Sequence, residues 1–268
     1  MLLATTLALL SLSSPPGDLD MGRRVYRKAC LTCHGKTGRG DGPGAPGIFP
    51  KPRDFTTAEF RFKSTPSGEL ATDNDLRRTI EEGISGGEMP AWGALLSDDE
   101  ITHVIAYIKS FCDEFCENTS WNPDPQEPLP EEPEPIFIPP PIVSTPSSIE
   151  RGRLVFDENG CSSCHGAKGD LVGIETTLRT SNHEIIEARD LTRHPYKRGL
   201  DPRQIYLTLR TGLSGTPMPE YSIISEKETY HLINYLVSIR EKRGFVSWLL
   251  DDSTWKPNEA RHDIGTAR

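Results

Sequence analysis

Six cysteines and four methionines carry the soft-ligand chemistry of this 268-residue chain, and their spacing sorts them. Cys30-Leu31-Thr32-Cys33-His34 and Cys161-Ser162-Ser163-Cys164-His165 are two copies of Cys-x-x-Cys-His. In that spacing two thiols can add across the two vinyl groups of one porphyrin, while the next residue offers an imidazole to its iron. A single such pentapeptide could be a zinc or dithiol half-site. Two copies, each followed by a Met-Pro, point to two covalently bound haem c groups. Met89 lies 55 residues after His34, and Met218 lies 53 residues after His165. The expected axial pairs are therefore His34 with Met89 and His165 with Met218. Pro90 and Pro219 stiffen the backbone beside each soft thioether. Irons held in this way are coordinatively full, which suits one-electron chemistry.

The other polar candidates divide less cleanly. Arg53 and Arg189 stand at equivalent places and read either as bidentate partners of a haem propionate or as solvated loop residues. Cys112 and Cys116 have no histidine after them, so haem attachment is not supported. In an oxidising compartment they read as a local disulfide past a helix end, and a thiolate ligand is the alternative. His103 and His231 are rival axial ligands or ordinary surface groups. His183, His194 and His262 have no partner in the other half and read as surface or supporting residues.

Positioning these groups requires two copies of one scaffold. Offset by about 130 residues, the chain matches itself along most of its length. Met21-Gly22-Arg23-Arg24-Val25-Tyr26 parallels Arg151-Gly152-Arg153-Leu154-Val155-Phe156, and Arg53-Asp54-Phe55-Thr56 parallels Arg189-Asp190-Leu191-Thr192. Gly83-Ile84-Ser85-Gly86-Gly87-Glu88-Met89-Pro90-Ala91-Trp92 parallels Gly212–Tyr221. Ser97-x-x-Glu100 and Ser225-x-x-Glu228 read as capping boxes that open a closing helix in each half. Ile101, Val104, Ile105 and Ile108 follow at helical spacing, as do Leu232, Ile233, Leu236 and Val237. Further helices are expected around Gly22–Ala29, Asp73–Glu82, Ile149–Phe156 and Pro202–Arg210. No strand is expected. The fold class is all-α, with two small domains each wrapped round one haem.

Composition sets the outer limits. A hydrophobic content of 35% is low for two cores, and a buried porphyrin would make up the shortage. The boundaries read as residues 1–17, an N-terminal segment; 18–116, the first domain; 117–147, a linker; 148–243, the second domain; and 244–268, a tail. The net charge of −9 is uneven. The first domain carries −3, the linker −6 and the remainder zero, a pattern that excludes a nucleic-acid surface. Residues 118–146 hold ten prolines, so the linker should be extended, either as a spacer or as a strap along both domains. Leu2–Leu12 resembles a signal-peptide core and is too short to span a bilayer. The mature chain is expected to lack a transmembrane segment and to be periplasmic or extracellular, either soluble or peripherally attached to a membrane complex. Tail residues Gly244–Leu250 could dock a partner or fold back on their own domain.

On these motifs the chain resembles tandem two-haem class I cytochromes c, periplasmic electron carriers, over residues 18–116 and 148–243. The resemblance implies four or five helices per domain and one-electron transfer between redox proteins, with no acid, base or nucleophile. Donors and acceptors of that type include a quinol-oxidising complex, a terminal reductase or oxidase, and a periplasmic dehydrogenase. Two alternatives stay open. One is a dihaem oxidoreductase of the peroxidase or thiosulfate dehydrogenase type; the other is a haem-carrying subunit of a larger respiratory complex.

Overall fold

The computed structural model describes residues 17–112, 115, 133–193 and 195–240. The N-terminal apolar stretch, Cys116, linker residues 117–132, His194, His262 and the tail lie outside the described residues. Two helical units with the same element order make up the rest. The first holds α1 (Leu19–Ala29), α2 (Leu31–His34), α3 (Asp73–Glu82) and α4 (Asp98–Lys109). The second holds α5 (Pro146–Glu158), α6 (Ser162–His165), α7 (Pro202–Thr211) and α8 (Glu226–Ser238). One departure from the all-helical expectation is a two-residue antiparallel ladder. It joins β1 (Leu178–Arg179) to β2 (Ile185–Ile186). Strands this short give alternation no room to register in a sequence.

Side-chain caps set the helix starts. Ser97 accepts from the Glu100 N–H while the Glu100 carboxylate accepts from the Ser97 N–H, a complete capping box. Thr72 and Asp75 make another at α3. The box expected at α8 is only half made. Ser225 accepts from Glu228 N, but the Glu228 carboxylate takes Arg151 Nε at 2.7 Å. A nearby guanidinium outcompetes a backbone N–H for that carboxylate.

Each closing helix crosses the first helix of its unit at a glycine. A Cβ at Gly22 would collide with the His103 carbonyl, and one at Gly152 with the His231 carbonyl. His103 and His231 serve these crossings. His103 Nδ1 accepts from the Asp18 N–H at 2.9 Å, and His231 Nδ1 pairs with Ser148 Oγ at 2.8 Å. Around the crossings, Val25, Tyr26, Ile101, Val104, Ile105 and Ile108 are buried in one core. Val155, Phe156, Tyr230, Leu232, Ile233 and Leu236 are buried in the other. Val237, placed on the apolar stripe by its spacing, is exposed.

The described part of the linker, residues 133–145, has no regular structure and lies along both units. Ile136, Ile138 and Ile142 pack against the second core. The Tyr230 hydroxyl donates to the Pro139 carbonyl, and Ile136 N donates to Ser64 O of the first unit at 2.8 Å. This segment is a strap, and the units it joins touch directly. Arg198 Nη1 donates to Lys63 O at 3.2 Å, and Ser181 Oγ to Glu59 Oε2 at 2.7 Å. Lys51 meets Glu184 at 2.7 Å. No helix among the described residues is long and apolar enough to cross a membrane.

Candidate functional site

Both Cys-x-x-Cys-His segments fold as a single helical turn begun by the first cysteine. His34 N donates to Cys30 O at 2.9 Å and His165 N to Cys161 O at 3.0 Å. Gly35 (φ 78°) and Gly166 (φ 81°) end these turns in a conformation that disfavours other residues. The chain then loops back to the ring of each histidine. Phe55 N donates to Gly38 O, and Leu191 N to Gly169 O, each at 2.7 Å. Asp54 and Asp190 fix the following turns by accepting from the N–H and hydroxyl of Thr56 and Thr192.

The consequence is one hydrogen bond made twice. His34 Nδ1 lies 3.0 Å from Arg53 O, and His165 Nδ1 lies 2.8 Å from Arg189 O. A carbonyl can only accept, so Nδ1 carries the proton and Nε2 presents its lone pair. Nε2 has no hydrogen-bond partner among the described residues in either ring. Burial pushes both imidazoles below their ordinary pKa, and a neutral ring is the form that ligates a metal. Arg53 and Arg189 thus act first through their backbone, a role that sequence position alone did not disclose.

The methionines lie on loops of one design. Ile84 N donates to Met89 O at 3.0 Å and Leu213 N to Met218 O at 3.2 Å. Trp92 N to Ile80 O (2.9 Å) and Tyr221 N to Leu209 O (2.8 Å) close the two loops. Met89, like Cys30, Leu31 and Trp92, packs against the first core, and Met218 against the second, which includes Cys161. Burial pushes the Cys30 thiol up to about 12 and the Cys161 thiol up to about 11. Such thiols are poor nucleophiles in water and suit an apolar wall as thioethers. Cys112 is buried in a small cluster with Ala58 and Phe115, which shares only Phe60 with the partly buried residues packed on the core of Met89.

Between the units, four cations converge. Arg53 and Arg61 come from the first, Arg189 and Lys197 from the second. Arg61 and Lys197 are a repeat pair the sequence reading missed, each standing eight residues after its arginine. Burial first and Arg61 second push Arg53 down to about 10. Burial, then Arg189 and Arg61, push Lys197 down to about 8. Arg61 Nε is buried without a hydrogen-bond partner. A cleft of about 330 Å³, lined by Arg53, Arg61, Ser181 and Glu184 among others, opens here. The buried, unpartnered Arg61 Nε and the desolvated Arg53 guanidinium fit the carboxylates of haem propionates, whereas Arg189 Nη1 already donates to Pro195 O and Lys197 Nζ to Gly86 O, each at 2.7 Å. With thiols, imidazole and thioether in register, the residues present fit the group.

These paired cradles define a c-type cytochrome with two haems. The comparisons agree. The family model for cytochrome c oxidase, cbb3-type, subunit III matches residues 17–108, and that for cytochrome c matches residues 149–240. The cbb3-type cytochrome c oxidase subunit CcoP of Azospirillum brasilense is 28% identical over 212 residues, covering 75% of this chain and 55% of that protein. Subunit FixP of Sinorhizobium medicae is 27% identical over 150 residues, covering 56% of this chain and 39% of that protein. The chain thus spans about half the length, or less, of these relatives. A chain of the Kuenenia stuttgartiensis reducing HAO-like protein complex Kustc0457/Kustc0458 matches with TM-score 0.75 and 32% identity. That match covers 86% of this chain and all of the other. The chain belongs to the tandem class I cytochrome c family and carries two covalently bound haem c groups.

Proposed function

We propose that this chain passes single electrons between redox proteins of the periplasm, with His34/Met89 and His165/Met218 as axial pairs. The observation that carries the reading is the duplicated bond from a proximal imidazole to an arginine carbonyl, with a methionine loop in register at each site. Haem bound there would supply the ferric/ferrous couple. The protein's part is to keep each imidazole in one tautomer and orientation, to hold a thioether opposite, and to exclude water with Trp92 or Tyr221. Arg53, Arg61, Arg189 and Lys197 would balance propionate charge where the two units meet. No acid, base or nucleophile is needed, so the chain is a carrier rather than an enzyme.

A second reading is favoured by one observation: the structural match spans the whole of a chain that works inside a complex. In that reading the protein delivers electrons as a fixed subunit of a respiratory or oxidoreductase assembly, peripherally attached at the membrane. The relatives' names point the same way, since both are oxidase subunits. Co-purification of a stoichiometric partner at high salt separates the subunit from the free carrier.

The ligation is tested by the visible spectrum of the ferric protein. A weak band at the red end, arising from thioether bound to ferric iron, should fall by about half in Met89→Ala, by about half in Met218→Ala, and vanish when both are changed. A high-spin five-coordinate spectrum in the unaltered protein, or turnover of peroxide, would contradict the reading.

A further inference from the structure

Each methionine loop is held at its base by its own unit and approached at its tip by the opposite one. In the first unit, Ile84 N to Met89 O and Trp92 N to Ile80 O tie down the two ends. The tip, Ser85-Gly86-Gly87-Glu88, is exposed along its length. Within its own unit the tip makes one turn bond, Gly87 N to Ile84 O at 3.0 Å; across the junction Lys197 Nζ donates to Gly86 O at 2.7 Å, and Ser85 N donates to Lys197 O at 3.3 Å. The approach leaves no room for side chains. A Cβ on Gly86 would lie 2.8 Å from Pro195 Cγ, and one on Gly87 3.1 Å from Lys197 Nζ.

The second unit's loop is met in reciprocal fashion. Gly215 O accepts from Ser181 N at 3.1 Å, and Ser181 Oγ donates to Glu59 Oε2 of the first unit at 2.7 Å. A Cβ on Gly215 would lie 2.6 Å from that carboxylate oxygen and 3.4 Å from Arg53 Nη1. The contacts differ in kind. Lys197 bonds the Met89 loop directly, whereas Glu59 reaches the Met218 loop through Ser181.

We propose that Lys197 is a positioning residue for Met89: docking of the second unit latches the loop that carries the first unit's distal ligand. A thioether is a weak, neutral ligand, so its hold on a ferric iron depends on how far the loop restrains it. A glycine-rich tip with no bonds from outside would restrain it poorly. The geometry therefore makes ligation in one unit conditional on contact with the other, and the contact is strongest toward Met89. This inference rests on methionine ligation as proposed above.

The test uses the full-length haem-loaded protein and two readouts, the red-end ferric band and the affinity for added imidazole. Lys197→Met keeps the length of the side chain and removes its donor. It should lower the band toward half and raise imidazole affinity at one haem by about tenfold, the loss of one charge-assisted hydrogen bond. Lys197→Arg should restore both. The loss should add to that of Met218→Ala and vanish in a Met89→Ala background, which places it at the first haem. Gly87→Ala approaches the same contact from the loop side and should act likewise, should Lys197→Met not fold with two haems. An unchanged band and unchanged imidazole affinity in both variants would overturn the latch while leaving methionine ligation standing. An unaltered protein with no red-end band would overturn the ligation, and the latch with it.

Discussion

In the first unit the ring of His34 lies on the ring of Phe55, with centroids 4.3 Å apart and planes within 17°. Phe60 and Phe111 stack in turn beside Phe55. The second unit puts Leu191 where the first has Phe55 and Tyr196 where it has Phe60. Tyr196 spends its hydroxyl on Leu236 O at 2.9 Å, and the His165 side is less deeply buried than that of His34. The backbone bonds around the two histidines nevertheless agree almost atom for atom. The comparison separates two jobs. Main-chain geometry around the proposed ligands is shared by the two units, while the apolar cladding differs, and cladding of this kind tunes a haem couple.

The comparison breaks most severely at the helix crossings. Gly22→Val and Gly152→Val would each drive a side chain into a backbone carbonyl that has nowhere to move. Each should lower stability by ~1–3 kcal/mol or more, with loss of the cooperative thermal transition of its own unit. If one variant were harmless, the two crossings would not be the same device.

Next in size is the difference in cladding. A potentiometric titration should resolve two waves, the higher from the haem at His34, because a drier aromatic surround disfavours the more charged ferric state. Phe55→Leu makes the first site like the second and should draw the waves together. Waves that stay as far apart would place the asymmetry elsewhere, in the cation cluster for example.

The smallest effect tests the caps. Ser97→Ala and Ser225→Ala should each cost about 1 kcal/mol in chemical unfolding. Glu100→Gln should disturb only its own helix start. Glu228→Gln should weaken the tie from α8 to Arg151 on α5. Equal responses to the two glutamate changes would mean that the half-made box at α8 is not a real difference.

Much of this was legible before any coordinates. The cysteine and histidine motifs announce their chemistry by spacing, and the repeat sets both methionines in register with them. α3, α4, α7 and α8 follow from apolar periodicity and caps that act within a few residues. What hid from the sequence acts through the backbone or at long range. The carbonyls of Arg53 and Arg189 have no residue-type signature, and the cations Arg61 and Lys197 differ in type while sharing a position. The linker was left open by composition, as a spacer or a strap. Its prolines and acids fit either, and the structure shows the strap, with Ile136 and Ile138 turned onto the second core and Phe137 between them exposed. That alternation is too short for periodicity to register in a sequence. The proposed Cys112–Cys116 bridge is left to thiol titration under denaturing conditions, where two free sulfhydryls would refute it.

Because the two cradles touch directly, through Arg198 Nη1 on Lys63 O and Lys197 Nζ on Gly86 O, we propose that one molecule moves electrons between its own halves. Substoichiometric flash reduction followed at the two haem spectra tests it most directly. The account predicts redistribution between the haems at a rate that stays constant as the protein is diluted. A rate that falls in proportion to protein concentration would mean that the halves exchange electrons only between molecules, and would contradict it.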